Sequence, residues 1–285
     1  MKLPPFDYVA PQTLDEAVRL LARHGDGARL IAGGQSLMPV LAFRLAAPAL
    51  LVDIRNLSGL DRIDIGGDGV RIGARVRWRD IEDDARLSAA HPLLARAVAH
   101  VAHYQIRNRG TVGGSLAHAD PAAEMPGIAV TCAAEIEAVG SAGARTIRAD
   151  DFFLGPLMTA LAADEVIVGI RLPAWPATRR WGFEEFARRR GDFALAGVAL
   201  FYDVDAGGRA RDAHVGVIGA CTRPHRLAEA EAALNGRRVD AETIAAAARA
   251  AAAAVDPPDD LHADAAYRRA LVGTLAERAL QRAAS

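Results

Sequence analysis

An α+β fold of two domains is predicted for this chain of 285 residues, and three observations predict it. Near the N-terminus a strand, a helix and a strand follow one another at the spacing of a small α/β unit. Between residues 61 and 172 short strands flank glycine-rich turns. After the stretch PAWPAT (173–178), three strands are followed by helices, the order expected of an α+β domain. At about 100–200 residues per domain the length suits two, placed at 1–175 and 176–285.

The elements follow in order. Thr13-Leu14-Asp15-Glu16 reads as a capping box, in which Thr13 and Glu16 each satisfy an open N–H group at a helix start. Leu14, Ala17, Val18, Leu21 and Ala22 recur at helical spacing, and Gly25 and Gly27 stop the helix. Residues 29–32 and 50–54 read as buried strands. Strands at 61–65 and 70–74 are split by the turn Gly66-Gly67-Asp68-Gly69. Residues 78–84 and 92–103 read as helices. Residues 135–139 and 145–147 pair as a hairpin, and 165–172 alternate like a strand that ends at Pro173. In the second domain the strands are expected at 181–188, 194–204 and 213–219, a three-stranded antiparallel sheet. Helices are expected at 225–234, 241–254 and 267–284, with Asp256-Pro257-Pro258 between the last two.

Composition excludes several functions. Apolar residues make up 51% and charged residues 24%, so a chain of this length buries a core without staples. A net charge of −1 lacks the basic surplus of a nucleic-acid-binding domain. Cys132 and Cys221 are too few for a disulfide framework, and too few for an iron–sulfur cluster, which takes four thiolates. Lys2 is the sole lysine, which rules out a P-loop and disfavours a Schiff-base mechanism. MKLPPFDYVAP has no apolar signal-peptide region, and no charge-free run of 18 apolar residues suggests a membrane span, so a cytoplasmic location is expected.

Two glycine doublets carry the chemistry. AGGQSL (32–37) follows the apolar run Leu30-Ile31-Ala32, and TVGGS (111–115) repeats the pattern of glycines followed by a small polar residue. Glycine after a strand lets a ligand approach the backbone, and successive N–H groups in such a turn form an anion-binding nest. Together the doublets suit a diphosphate held from two sides. Other motifs fail. Residues 67–73 miss the dinucleotide fingerprint by one position, and Gly113-Gly114-Ser115-Leu116-Ala117 lacks the last glycine of a hydrolase elbow. His118 and Asp120 have no third ligand to make a metal site. Trp78, Trp175 and Trp181 read as packing anchors and Cys132 as a small buried hydrophobe.

AGGQSLMPVLAFRLAAP (32–48) and QIRNRGTVGGSLAHADPAAEMP (105–126) resemble the two FAD-binding motifs of the medium subunit of molybdenum hydroxylases, the carbon monoxide dehydrogenase / xanthine dehydrogenase group. FDYVAPQTLDEAVRLL (6–21) resembles the opening of that family. RRGDFALAGVAL (189–200) and DLHADAAYRRAL (260–271) resemble parts of its C-terminal domain, so the resemblance spans the chain. It implies a PCMH-type, vanillyl-alcohol-oxidase-like FAD-binding domain of two α/β subdomains, followed by the C-terminal domain typical of these medium subunits.

By position, the resemblance implies that Ile31, Ala32, Gly33, Gly34, Gln35, Ser36 and Leu37, with Thr111, Gly113, Gly114 and Ser115, wrap the FAD diphosphate. They would do so through backbone N–H groups and the Ser36, Thr111 and Ser115 hydroxyls. Val101, Ile106 and Gly110 would lie along the flavin, Ala117 and His118 would approach its ring system, and Ile167 would touch its edge. Asp120 and Glu124 would accept hydrogen bonds from sugar or ribityl hydroxyls. Glu124 stands where some relatives have aspartate, and Glu184 where xanthine-oxidising relatives have a flavin-contacting lysine. Gln35 stands where many flavin folds of this type have histidine, which in some oxidases bonds to FAD. Glutamine forms no such bond, so the FAD is expected to be non-covalent.

The implied function is electron transfer. Molybdenum would sit on a large subunit and two [2Fe–2S] clusters on a small one, in a dimer of heterotrimers, a heterohexamer. Electrons would pass through this FAD to an external acceptor, with the complex cytoplasmic or at the inner face of the membrane through its partners. No proton-transferring catalytic residue is expected. Two alternatives stay open. One is a self-sufficient FAD-dependent oxidase or reductase of the same fold, which would conscript Glu184, Arg188 and Asp192, otherwise a charged surface strand. The other is a non-enzymatic binding module. Arg188-Arg189-Arg190 reads as a solvated face or as part of a docking surface for the partner subunit.

Overall fold

The computed structural model of the protein describes residues 2–285. Its first unit is a parallel sheet of β1 (Asp7–Val9), β2 (Ala28–Ile31) and β3 (Leu50–Asp53), in the order β1-β3-β2. Helix α1 (Leu14–His24) connects β1 to β2, and α2 (Leu37–Ala42) lies between β2 and β3. Thr13 caps α1 as expected, its hydroxyl accepting from the Glu16 N–H at 3.2 Å. The Glu16 carboxylate reaches one residue further back than a capping box requires, to the N–H of Gln12 at 3.0 Å. Ala17, Val18 and Leu21 of α1 share a core with Leu50 and Val52 of β3.

The second unit is an antiparallel sheet of five strands. These are β4 (Ile63–Gly66), β5 (Gly69–Gly73), β6 (Glu135–Gly140), β7 (Gly143–Arg148) and β10 (Val166–Pro173), ordered β4-β5-β10-β6-β7. Between β5 and β6 run α3 (Trp78–Asp83), α4 (Ala85–Ala90), α5 (Pro92–Val98), α6 (Tyr104–Arg107), α7 (Val112–His118) and α8 (Glu124–Thr131). Between β7 and β10 lie α9 (Ala149–Phe152) and the hairpin β8 (Phe153–Gly155) and β9 (Met158–Thr159). The helix expected over 92–103 ends at Val98, where His100 and Val101 donate to the Ala97 and Val98 carbonyls and tighten the chain into a turn. Ala102 then takes a left-handed conformation, φ 43°, which a continuing helix forbids.

The C-terminal sheet has four strands, not three. β11 (Arg180–Phe186), β12 (Ala196–Val204) and β13 (Ala210–Ile218) match the expected strands, and β14 (His225–Arg226) pairs antiparallel with Val217 and Gly216 at the sheet edge. Residues 225–226 were expected to open a helix. That helix, α10 (Ala228–Leu234), starts three residues later, because His225 and Arg226 extend the ladder first. A two-residue strand is too short to show alternation, so periodicity cannot find it. Two longer helices, α11 (Ala241–Ala254) and α12 (Ala265–Ala284), complete the domain.

One face of this sheet packs on the three helices, with Val198, Leu200, Val215 and Val217 against Leu234, Leu275 and Leu280. The other face, with Phe183, Ala199, Phe201 and Ile218, joins the core of the second unit. The approach there is close. A Cβ on Gly216 would fall 1.9 Å from the Thr131 hydroxyl oxygen, and one on Gly127 would fall 2.4 Å from Ile218. Helix α8 therefore lies directly on β13, and the seam between the domains is an interior rather than a surface.

Candidate functional site

β2 delivers the first doublet. A Cβ on Gly33 would lie 2.1 Å from the Arg109 carbonyl oxygen and 2.9 Å from the Gly110 Cα, so the β2–α2 loop is seated against the 109–110 backbone. The two sequence motifs thus meet, some eighty residues apart in the chain. Gly34 needs its glycine for a different reason, a backbone φ of +71°. The N–H groups of Gly33, Gly34, Gln35 and Ser36 have no backbone acceptor among the described residues. The Gln35 side chain turns back on its own loop, donating from Nε2 to the Gly33 carbonyl at 2.9 Å. Ser36 precedes α2 without capping it, which leaves its hydroxyl open.

The second doublet is built differently. Thr111 is the N-cap of α7, and its hydroxyl accepts from the Gly114 N–H at 3.2 Å. Val112 N–H donates to the Val76 carbonyl at 2.9 Å and Gly113 N–H to the Ala74 carbonyl at 2.8 Å, while Ser115 N–H donates to the Thr111 carbonyl. Every N–H from Val112 to Ser115 is therefore bonded within the chain. A Cβ on Gly113 would fall 2.6 Å from the Ala74 Cβ, so this glycine lets α7 pack on the end of β5. Gly110 is held by Trp78, whose indole nitrogen would lie 2.8 Å from an added Cβ. Trp78 is buried, as a packing anchor should be.

The other residues singled out in the sequence surround this junction in several ways. Val101 and Ile167 are buried in the same core cluster. Ile167 sits at a β-bulge of β10 against β6, a place where ladders re-aim side chains. Ile106 is half-buried and accepts from the Gly110 N–H through its carbonyl at 2.7 Å. Ile31, Ala32, Leu37 and His118 are half-buried and Ala117 is exposed. After α7 the chain turns through Ala119 at φ 52°, an uncommon conformation for a residue with a side chain. Asp120 then folds its own loop, one carboxylate oxygen accepting from Ala122 N–H at 2.9 Å. Glu124 opens α8 and is 8% exposed; burial, with the Asp120 charge nearby, pushes its carboxyl up to about 7.

The C-terminal domain reaches the same region. Gly191, at φ +90°, lies against the His103 ring and the Ala102 carbonyl, which brings the 188–193 loop onto the turn that follows Val101. Arg188 is not a free surface charge but donates to the His262 carbonyl at 2.6 Å. Glu184, expected on a charged surface strand, has a side chain only 13% exposed and pairs with Arg282 at 2.6 Å. Sequence reasoning passed over Glu185. Its signal was the period-two pattern of β11, which puts Trp181, Phe183 and Glu185 on one face.

The arrangement suits an anionic group beside apolar walls. Free N–H groups on a glycine loop are donors suited to diphosphate oxygens, and the Ser36, Thr111 and Ser115 hydroxyls are within the same two segments. A cavity of about 450 Å³ elsewhere, between α1 and the Gly140-Ser141 turn, contains none of these residues.

Comparison with known proteins places this geometry in a family. Residues 4–175 match the FAD binding domain in molybdopterin dehydrogenase, and residues 181–283 match the CO dehydrogenase flavoprotein C-terminal domain. The chain is 42% identical over 280 residues to the nicotine 6-hydroxylase medium subunit of Paenarthrobacter nicotinovorans, with 98% of each chain covered. The carbon monoxide dehydrogenase of Hydrogenophaga pseudoflava, solved without the Mo-pyranopterin moiety of its molybdenum cofactor, contains a chain that superposes with a TM-score of 0.96. That chain is 40% identical, with 99% of this chain and 98% of that one covered. Quinoline 2-oxidoreductase from Pseudomonas putida 86 gives a TM-score of 0.94 at 41% identity, covering 100% of this chain and 98% of that one. With an FAD-binding domain and an oxidoreductase lineage established over its whole length, the chain belongs to the FAD-binding medium subunits of the molybdenum hydroxylases, the family of the carbon monoxide dehydrogenase medium chains.

Proposed function

We propose that the chain holds FAD non-covalently where the 33–36 loop meets the 109–111 segment, and that it is the electron outlet of a molybdenum hydroxylase. The observation that carries this reading is the seating of Gly33 on Arg109 and Gly110, which joins the two motifs while the loop's N–H groups stay open. Those N–H groups and the Ser36 hydroxyl bind the diphosphate, with the Thr111 and Ser115 hydroxyls completing the cradle. Val101, Ile106 and Ile167 wall the ring system and exclude water from it, with Gly110, Ala117 and His118 beside them. Asp120 and Glu124 accept from the sugar and ribityl hydroxyls. Gln35 serves the loop, not the chemistry, since its amide is engaged with the Gly33 carbonyl.

Bound FAD supplies the conversion of single electrons into a two-electron delivery to an acceptor; the protein positions and tunes it. The electrons come from two [2Fe–2S] clusters on a small partner subunit, fed by a molybdenum cofactor on a large one. Two observations support that division. The Cys132 and Cys221 thiols are buried and pushed up to about 12, far from the thiolate form that ligates metal. Among the described residues, no group of three His, Cys, Asp or Glu side chains is arranged to hold a metal ion. The complex is a dimer of heterotrimers in the cytoplasm, or at the inner face of the membrane through its partners. The FAD-binding domain ends at residue 175. Among the described residues, no helix is long and apolar enough to cross a membrane.

Purification with its neighbours tests the reading. The expected product contains molybdenum- and iron–sulfur-bearing chains and shows a flavin spectrum, and acid precipitation releases the yellow colour into the supernatant. Colour retained in the washed pellet contradicts non-covalent binding. Substrate turnover by this chain alone contradicts the electron-outlet role.

A further inference from the structure

A second cavity, of about 280 Å³, opens between α5 of the first domain and β11 and α12 of the C-terminal domain. Arg96, Arg179, Arg180 and Arg282 line it, with Trp181 and Phe183 among its walls and no acidic side chain. None of these residues belongs to either glycine loop.

The local packing brings the arginines together. A Cβ on Gly182 would fall 2.1 Å from the Ala279 carbonyl oxygen, so β11 lies directly on α12. Arg180, two residues before Gly182 on the strand, shares its face; Arg282, three residues after Ala279 on the helix, shares its side. The opposite face of β11 carries Trp181, Phe183 and Glu185. The Glu185 side chain is 4% exposed and lies outside the cleft lining, so it does not neutralise the cations there. Helix α5 contributes Arg96 from across the domain seam.

Two of the four guanidinium groups already have partners. Arg179 donates to both Asp203 carboxylate oxygens, at 2.9 and 3.0 Å, and stands over the Phe201 ring at 4.3 Å. Arg282 pairs with Glu184 at 2.6 Å. Arg96 and Arg180 pair with no carboxylate among the described residues. An excess of positive charge therefore faces one concave surface, and a cleft lined by one sign of charge focuses its field on a counter-ion. The guanidinium fork matches the paired oxygens of a phosphoryl or carboxylate group. Pockets that take drug-sized molecules hold roughly 300–1,000 Å³, so this smaller cleft suits a compact anion and not a whole nucleotide.

We propose that the cleft is a second binding site of the chain, for a compact anion carrying two or more negative charges on phosphoryl or carboxylate oxygens. The bound anion bridges the domains, held by Arg96 on one side and by Arg180 and Arg282 on the other. Arg179, fixed by Asp203, supplies a rigid positive wall. The site is independent of where FAD sits, since it shares no residue with the glycine loops.

Isothermal titration calorimetry of the flavin-loaded, assembled enzyme with sodium pyrophosphate tests this, with sodium chloride holding the ionic strength constant. One pyrophosphate should bind per copy of this chain. Arg96→Gln and Arg180→Gln should each weaken binding at least about tenfold, as the loss of a charged hydrogen bond does. Arg148→Gln, which removes the same charge from the end of β7 in the other sheet, should leave it unchanged. Citrate, titrated in the same way, separates a phosphoryl ligand from a polycarboxylate. Saturable binding of neither anion overturns the proposal. So does an affinity equal in the wild type and Arg180→Gln, which marks an adventitious ion only. Weakening by Arg180→Gln with none by Arg96→Gln overturns the bridge between the domains.

Discussion

The two glycine doublets share their letters and divide their labour. In the 33–36 loop the backbone N–H groups are left open, and glycine is needed because another backbone, Arg109-Gly110, presses against Gly33. In the 111–115 turn every N–H from Val112 onward is bonded, and glycine is needed because α7 packs on Ala74 without room for a side chain. On the proposed reading the first doublet is the binding surface, and the second is a joint that fixes where that surface ends. A glycine pair in a sequence states that something comes close; it does not state whether that something is a ligand or the protein itself.

Substitutions separate the two roles. Gly113→Val places its Cβ against both the Ala74 side chain and carbonyl, backbone included, and should cost about 3 kcal/mol of stability as overpacking does, read from urea unfolding. Flavin is lost there only because the fold is weakened. Gly33→Ala should do the reverse. Its Cβ would strike the Arg109 carbonyl in a half-buried loop, and alanine adds one carbon where valine adds three, so the urea midpoint moves less than for Gly113→Val. FAD affinity should fall at least roughly tenfold, about 1.4 kcal/mol, in a flavin-binding titration. Equal loss of stability in both variants would erase the distinction.

The hydroxyls sharpen the same contrast on a smaller scale. Thr111 caps a helix and Ser36 does not. Thr111→Ala should lower stability by about 1 kcal/mol, whereas Ser36→Ala should leave it within about 0.5 kcal/mol and weaken FAD binding instead. The smallest effect belongs to Gln35→Ala. Losing the bond to the Gly33 carbonyl should cost about 0.5–1 kcal/mol of loop order, seen as FAD binding weaker by a few-fold.

Much of the architecture was legible in the sequence because it rests on periodicity and caps. The first helix, with its Thr13 cap, and the helix at Ala241–Ala254 lie where the pattern puts them, and the hairpins turn at the expected glycines. Elements too short to repeat their period were not legible. β14 has two residues and α6 four, and their existence is decided by the neighbours they pair with or pack on. At the site, the two motifs and the family they mark could be read from residues alone. Which N–H groups stay open could not, because Ala74 and Val76, the acceptors for the second motif, lie some forty residues away in sequence. Glu185 was hidden differently. An alternating Trp181-Phe183-Glu185 face implies a buried acid, but a run of charged letters reads as surface unless the alternation is followed to its end.

Amide hydrogen exchange, with and without bound FAD, tests the division between the two doublets most directly. N–H groups without acceptors exchange freely until a ligand covers them, while bonded ones are slow in both states. Protection gained on FAD binding at Gly33, Gly34, Gln35 and Ser36, with Gly113, Gly114 and Ser115 already slow before it, is the result this account requires. Protection gained only at 112–115, with the 33–36 loop unchanged, would contradict it.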